Sequence, residues 1–228
     1  MKGEEYMANY VMSDLHGCYD SFLLMLETIN LTNDDTLYIL GDVIDRGDKS
    51  LEIIDYIVSK PNIVWLKGNH EEFLIDSVET KDSQLWFING GYTTFQQITY
   101  KGGETYLNQL YEYIKKLPVI KIVGEYILVH AGIDIPDNTD GLDIEKLIAL
   151  QDKDTMLWSR KHINNECNFL NYKVVCGHTP VQTIMKSKED VRIIHRKGYI
   201  YIDCGCVYKQ ANGKLACLRL DDLKEYYV

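Results

Sequence analysis

Thr36-Leu37-Tyr38-Ile39-Leu40-Gly41-Asp42-Val43-Ile44-Asp45-Arg46-Gly47 is a strand-like apolar run that breaks into a turn carrying two carboxylates and a guanidinium. A carboxylate able to bridge cations, a second carboxylate and a phosphate-binding Arg are the tools of metal-assisted phosphate ester hydrolysis. The pattern of a polar turn after an apolar run recurs on both sides. Asn9 to Ser13 reads as a strand ending in Asp14-Leu15-His16-Gly17, and Ile63 to Leu66 as one ending in Gly68-Asn69-His70-Glu71.

Helical signals separate these strands. Phe22, Met25, Leu26 and Ile29 recur at helical spacing, and Ser50 is expected to N-cap a helix that buries Leu51, Ile54, Ile57 and Val58. Pro61 and Asn62 then break the chain. Alternating strands and helices imply parallel pairing, and the carboxyl ends of adjacent parallel strands open onto one crevice. The three motifs are therefore expected at a single site.

Residues 71–116 read as a helical insertion beside that site, interrupted at Asn89-Gly90-Gly91 and Gly102-Gly103. The second half is mainly strands. Val119 to Val123 and Tyr126 to Val129 flank a Gly124-Glu125 turn, a hairpin signal, and the second run ends in His130-Ala131-Gly132. Tyr172 to Cys176 leads into Gly177-His178-Thr179-Pro180. Ile193-Ile194, Gly198 to Asp203 and Lys214 to Leu220 are expected to finish a second sheet. With no repeat, low-complexity tract or linker, residues 1–228 are expected to form one α/β domain.

Composition removes whole classes of function. Hydrophobic residues make up 46% of the 228 residues, which supports a sizeable core and excludes a disordered chain. No apolar run of about 18 residues would span a membrane. Met1-Lys2-Gly3-Glu4-Glu5-Tyr6-Met7 lacks the apolar core of a signal peptide, so a cytoplasmic location is expected. A net charge of -10 argues against binding a nucleic-acid backbone. It is compatible with a phosphorylated substrate, because bound cations invert the local field. Cys18, Cys167, Cys176, Cys204, Cys206 and Cys217 read as reduced thiols in that setting. Cys204-Gly205-Cys206 is expected to be structural, two small buried side chains on opposite faces of a strand.

The polar residues placed after apolar strands are Asp14, His16, Asp42, Asn69, His130 and His178. This oxygen and nitrogen set suits manganese, iron or zinc in a site of five or six ligands better than a structural zinc site. Asp42 can bridge two cations about 3.5–4 Å apart, and a hydroxide shared by them would attack phosphorus in line. Arg46 and Arg160 offer bidentate donors to phosphate oxygens. His70 is the candidate general acid, with Asp45 to orient it and favour its cation, an effect that nearby metals would oppose. His162 and His195 lack this setting and read as structural or surface residues.

These motifs and their order resemble the calcineurin-like metallophosphoesterases, and more narrowly the bacterial and phage form of the phosphoprotein phosphatase (PPP) group. Trp158-Ser159-Arg160 stands where that group carries a second phosphate-binding Arg, and Trp86 with Asn89-Gly90-Gly91 resembles its bacterial helical region. The resemblance implies a β-sandwich of two mixed sheets flanked by helices. It implies two divalent metals, most often manganese: one held by Asp14, His16 and Asp42, the other by Asp42, Asn69, His130 and His178. It further implies His70 paired with Asp45 as the leaving-group acid, and Arg46 and Arg160 as the phosphate clamp. The expected substrates are phosphoserine and phosphothreonine proteins or peptides, and the default state a monomer. Symmetrical diadenosine tetraphosphate hydrolases share the motifs, but typically depart from Asp-Arg-Gly at the second and carry Asp where Glu71 stands; Asp45 and Glu71 therefore favour the protein phosphatase. A catalytically silent metal-bound scaffold is the minor alternative, and its signature, a lost ligand or acid, is missing from the sequence.

Overall fold

Strict alternation in the first strands explains the layering. In β1 (Asn9–Met12), β2 (Thr36–Ile39) and β3 (Ile63–Trp65), Tyr10, Met12, Leu37, Ile39, Ile63 and Trp65 enter one buried cluster. Val11, Tyr38, Leu40 and Leu66 enter a second. A strand with both faces covered carries apolar residues on both, which is why these runs are continuous in sequence. The computed structural model describes residues 7–163 and 169–228; the N-terminal stretch before Met7, and Cys167, lie outside the described residues.

Helices α1 (Tyr19–Ile29) and α2 (Ser50–Val58) follow β1 and β2 and bury Phe22, Met25, Leu51 and Ile54 in the first cluster. The region after β3 is helical, as expected. It contains α3 (Asn69–Thr80), the short α4 (Gln84–Trp86), a π-helical turn over Phe87–Gly91, α5 (Tyr92–Lys101) and α6 (Gly103–Ile114). Gly90, at φ 101, kinks the π-helical turn. The hairpin β4 (Ile120–Val123) and β5 (Tyr126–Val129) comes next. After it lie α7 (Ile144–Ala149), α8 (Lys153–Trp158), β6 (Lys173–Cys176), α9 (Val181–Met185), β7 (Ile194–His195), β8 (Tyr199–Tyr201), β9 (Ala216–Arg219) and β10 (Glu225–Tyr227).

Among the described residues the strands form two five-stranded mixed sheets, β10-β9-β1-β2-β3 and β4-β5-β6-β8-β7. The β1–β2 and β2–β3 pairs are parallel, with Asn9 opposite Thr36 and Leu37 opposite Ile63. In the other sheet β5, β6 and β8 are parallel neighbours. The second cluster fills the space between the sheets, and the first lies under the helices. Two parallel runs, one per sheet, thus point their carboxyl ends toward the same crevice.

Four expectations change. Lys214 to Leu220 was expected in the second sheet, but β9 pairs antiparallel with β1, Tyr10 opposite Arg219. Its alternation reveals the reason: Ala216 and Leu218 face the inter-sheet core, while Cys217 faces the helical side. Strand β10, without an anticipated signal, closes the edge beside it. Ser50 is the first helical residue rather than the N-cap, because its Oγ turns inward to accept from the Asp45 N–H at 3.2 Å. Val58 is exposed, and Ile53 takes the buried place expected for it. Cys204-Gly205-Cys206 lies in a turn, with Gly205 at φ 70, and still sends its two thiols into different clusters. No helix among the described residues is long and apolar enough to cross a membrane.

Candidate active site

The crevice collects the polar turns after β1, β2, β3, β5 and β6. Several of their residues take the left-handed backbone region: Asp14, His16, Asp42, Asp45, Arg46 and His178 all have φ between 43° and 74°. Side chains with a Cβ adopt that region only where the surroundings enforce it, and such positions cluster at functional sites. Glu71 supplies much of the enforcement. Buried at the third position of α3, it accepts from the N–H groups of Asp42 at 2.8 Å, Val43 at 2.9 Å and Gly68 at 2.7 Å. One side chain therefore clamps the second motif to the third. Gly68 has to be glycine here, since a Cβ would lie 2.3 Å from Asp42 Oδ1.

Asp42 sits at the centre. Among the described residues two trios bring their ligand atoms within 4.8 Å of one another: His16, Asp42 and His70, and Asp42, His130 and His178. Asp42 belongs to both, as a bridging carboxylate would. Asp14 is in neither trio; its carboxylate accepts from the His178 N–H at 3.0 Å. Asn69 Oδ1 lies 2.8 Å from both His130 Nε2 and His178 Nδ1.

The tautomers follow from the carbonyls. His16 Nδ1–H donates to Ile44 O at 2.9 Å, and His130 Nδ1–H to Leu40 O at 2.7 Å. Burial holds both imidazoles below their ordinary pKa, so each stays neutral and turns an Nε2 lone pair into the crevice. His130 Nε2 then faces Asn69 Oδ1, with Asp42 Oδ1 3.5 Å away, an arrangement of acceptors converging on acceptors. His178 Nε2 is buried with no hydrogen-bond partner among the described residues. Burial, followed by the charges of Asp14 and Glu71, pushes the Asp42 carboxyl well above its ordinary range. Converging lone pairs and crowded carboxylates of this kind fit divalent cations, whose charge would relieve both strains.

Beside this cluster lies a dyad. His70 Nδ1 is 2.7 Å from Asp45 Oδ2, and both side chains are buried. The indole N–H of Trp86 donates to the same carboxylate, at 3.0 Å to Oδ1 and 2.9 Å to Oδ2. The Asp45 N–H donates to Thr94 Oγ1 at 2.9 Å. Burial raises the Asp45 carboxyl to about 7, and burial with the Arg46 charge holds His70 well below its ordinary pKa. Both shifts favour the uncharged form of the buried group in the metal-free chain.

Arg46 points its guanidinium across the crevice. It donates to His70 Nε2 at 2.9 Å, contacts His16 Nε2 and lies with its Cζ 5.6 Å from the centre of the Tyr208 ring. Its backbone N–H is held by Gly90 O at 3.0 Å. Arg160 is held by the fifth turn, its Nε donating to Thr179 Oγ1 at 3.2 Å. All ten anticipated residues thus border one crevice. His195 is exposed and pairs with Glu225; His162 is buried and stacks on Tyr199 at 4.5 Å between ring centres.

Sequence reasoning overlooked Asp203, Thr94 and Tyr208, and it named Trp86 without a role. Asp203 had a readable signal, an Asp directly after the apolar run Tyr199-Ile200-Tyr201-Ile202. It is buried, and burial followed by the Asp14 charge raises its carboxyl well above the ordinary range. Thr94 and Tyr208 had no signal, since their contacts arise only from tertiary placement.

Comparison with known proteins agrees with this geometry. Residues 9–212 match the family model of the calcineurin-like phosphoesterases. The serine/threonine-protein phosphatase 2 of Salmonella typhimurium is 33% identical over 69% of this chain and 70% of its own length. Serine/threonine-protein phosphatase 1 of the same organism is 28% identical over 92% of this chain and 91% of its own length. A symmetrical bis(5'-nucleosyl)-tetraphosphatase of Vibrio vulnificus is 28% identical over 56% of this chain and 45% of its own length. A solved protein serine/threonine phosphatase from Saccharomyces cerevisiae has the same fold, with TM-score 0.66 and 16% identity over 97% of this chain and 79% of its own.

Proposed function

Since the chain belongs to the calcineurin-like phosphoesterase family, we propose that it is a metal-dependent phosphomonoesterase acting on phosphoserine and phosphothreonine in proteins. The observation that carries this reading is the buried His70–Asp45 dyad at 2.7 Å, fixed next to the shared carboxylate Asp42. A phosphorylated serine or threonine leaves as a strongly basic alkoxide, so its departure needs a proton donor.

In this reading Asp14, His16 and Asp42 would hold one divalent ion, and Asp42, Asn69, His130 and His178 the other, with manganese as the preferred metal. The ions would supply Lewis acidity and activate water for in-line attack. Arg46 and Arg160 bind the non-bridging phosphate oxygens and orient phosphorus. To protonate the leaving oxygen His70 acts as the imidazolium, its Nδ1–H on the Asp45 carboxylate and its Nε2–H turned from Arg46 to the substrate; giving up the Nε2 proton leaves the neutral ring. Asp45 fixes the His70 tautomer through Nδ1, and Trp86 fixes Asp45. The chain works as one domain, with 71–116 contributing Trp86 and Thr94 to the dyad. Its free cysteines among the described residues support a reducing, cytoplasmic setting, and the phosphorylated residue of a protein or peptide is the expected partner.

The second reading, hydrolysis of diadenosine tetraphosphate, has the Vibrio vulnificus relative in its favour. Asp45 and Glu71, both fully buried and hydrogen-bonded, favour the first. The discriminating experiment gives the manganese-loaded protein a phosphothreonine peptide and diadenosine tetraphosphate in parallel. A higher kcat/KM for the peptide is expected; a higher value for the dinucleotide would replace the first reading by the second.

A further inference from the structure

A groove of about 480 Å³ runs away from the crevice between α9 with its following turn and the Tyr208–Asn212 turn. Pro180, Thr183, Lys186, Lys188, Tyr208 and Ala211 line it. Its two walls are tied together. Gln182 Nε2 donates to Ala211 O at 3.4 Å, and Asn212 Nδ2 to Lys188 O at 3.0 Å. Its inner end meets both arginines of the proposed phosphate clamp. The Tyr208 ring lies against Arg46, and Thr179, next to Pro180, accepts from Arg160. A phosphorylated side chain held by those arginines would therefore lay its flanking residues into this groove.

The charges in the groove run against the rest of the molecule. The chain carries a net charge of -10, yet among the described residues this groove is lined by two exposed lysines and no carboxylate. Neither lysine has an ion-pair partner among the described residues, so both exposed ammonium groups face the groove without a carboxylate to neutralise them. Unpaired ammonium groups in an otherwise acidic surface select for anionic groups on a ligand and disfavour basic ones. Tyr208 and Pro180 offer the apolar floor over which a peptide backbone can lie.

We propose that this groove is a specificity subsite, in which Lys186 and Lys188 recognise acidic side chains flanking the phosphorylated residue of a protein substrate. The proposal rests on the phosphoprotein reading above and narrows it to acidic phosphosites.

The test uses the full, manganese-loaded chain and two pairs of phosphothreonine peptides. In one pair Asp and Glu, or their amide counterparts, precede the phosphothreonine; in the other they follow it. The ratio of kcat/KM between acidic and amide peptides is measured for the wild type, for Lys186→Ala/Lys188→Ala and for Lys186→Glu/Lys188→Glu. In at least one pair the wild type is expected to prefer the acidic peptide about fivefold, chiefly through KM, with the preference shrinking as salt rises. The alanine variant should bring the ratio to about one, and the glutamate variant should invert it. Equal kcat/KM for acidic and amide peptides in both pairs overturns the subsite alone, as does a ratio unchanged by either variant. Loss of diadenosine tetraphosphate hydrolysis in the alanine variant with the peptide ratio intact also overturns it, and assigns the lysines to polyphosphate. Failure to cleave any of the peptides while diadenosine tetraphosphate is hydrolysed removes the phosphoprotein reading and the subsite with it.

Discussion

Two side chains, His70 and Asp45, carry most of the chemistry proposed for this chain. Asp45 is wholly buried, and its carboxylate meets the His70 ring and the Trp86 indole N–H. A buried carboxylate in that position fixes the direction of its partner imidazole more than it adds reactivity. His70→Asn is expected to lower kcat on a phosphothreonine peptide about 10²–10⁴-fold, while bound metal, measured by atomic spectroscopy, persists. An aryl phosphate, whose leaving group needs little protonation, should lose much less. A fall of less than twofold on the peptide would remove His70 from the role of acid. Glu71 acts at the same scale in a different way. It orders three backbone N–H groups, and its own carboxyl is raised to about 7 by burial.

The helical region after β3 earns its place through single contacts with the crevice. The α4 residue Trp86 reaches Asp45, the α5 residue Thr94 accepts from its backbone, and Gly90 between them holds the Arg46 N–H. At Gly90 a Cβ would stand 2.8 Å from Arg46 Cγ, so the kinked π-helical turn and the phosphate arginine fit each other only with glycine there. Trp86→Phe keeps most of the packing and deletes one donor to a buried carboxylate. That deletion costs about 1–3 kcal/mol where the group is left unsatisfied. It is expected to lower kcat on the phosphopeptide about tenfold with KM nearly constant, because the loss falls on orientation of the acid. A purely structural tryptophan would instead change stability and leave kcat in place, which thermal melts and steady-state kinetics separate.

At the scale of the whole molecule the crevice stores opposing charges between two sheets. Buried acids such as Glu71, raised from 4.5 to about 7, stabilise the fold while they keep a proton. That contribution is complete below the unfolded pKa and disappears as pH rises through about 7. Buried imidazoles act in the opposite sense. His162, held by burial at about 4, contributes stability above 6.5 that is lost as pH falls toward about 4. The metal-free chain should therefore be most stable in mildly acidic solution, near about pH 6. Its Tm is expected to fall by roughly 5 °C between about pH 6 and about pH 8, and manganese should abolish that fall. A Tm of the chelated protein that rises across the same interval would contradict the crowding of carboxylates inferred at the crevice.

Much of this architecture was legible in the chain because its signals are local. Apolar runs two faces deep identify the buried strands, polar turns at their ends mark the crevice, and parallel pairing makes those ends coincide. The ten residues anticipated for the site, taken from these signals or from the family resemblance, lie around that crevice. Contacts between elements distant in sequence were not. Strand β9 could join either sheet on its alternation alone; pairing with β1 decided it. Trp86, Thr94 and Tyr208 show no periodic or motif signal for a site role, since a side chain acquires one only when packing carries it to the crevice. The sequence by itself determined the fold class and the ligand chemistry, through the period of its strands and the kinds of residue at their ends. The tertiary structure alone decided which donors orient Asp45, which imidazole lone pairs converge on Asp42, and which lysines flank the outward groove, because each depends on distances that close only when the two sheets and the helices pack together.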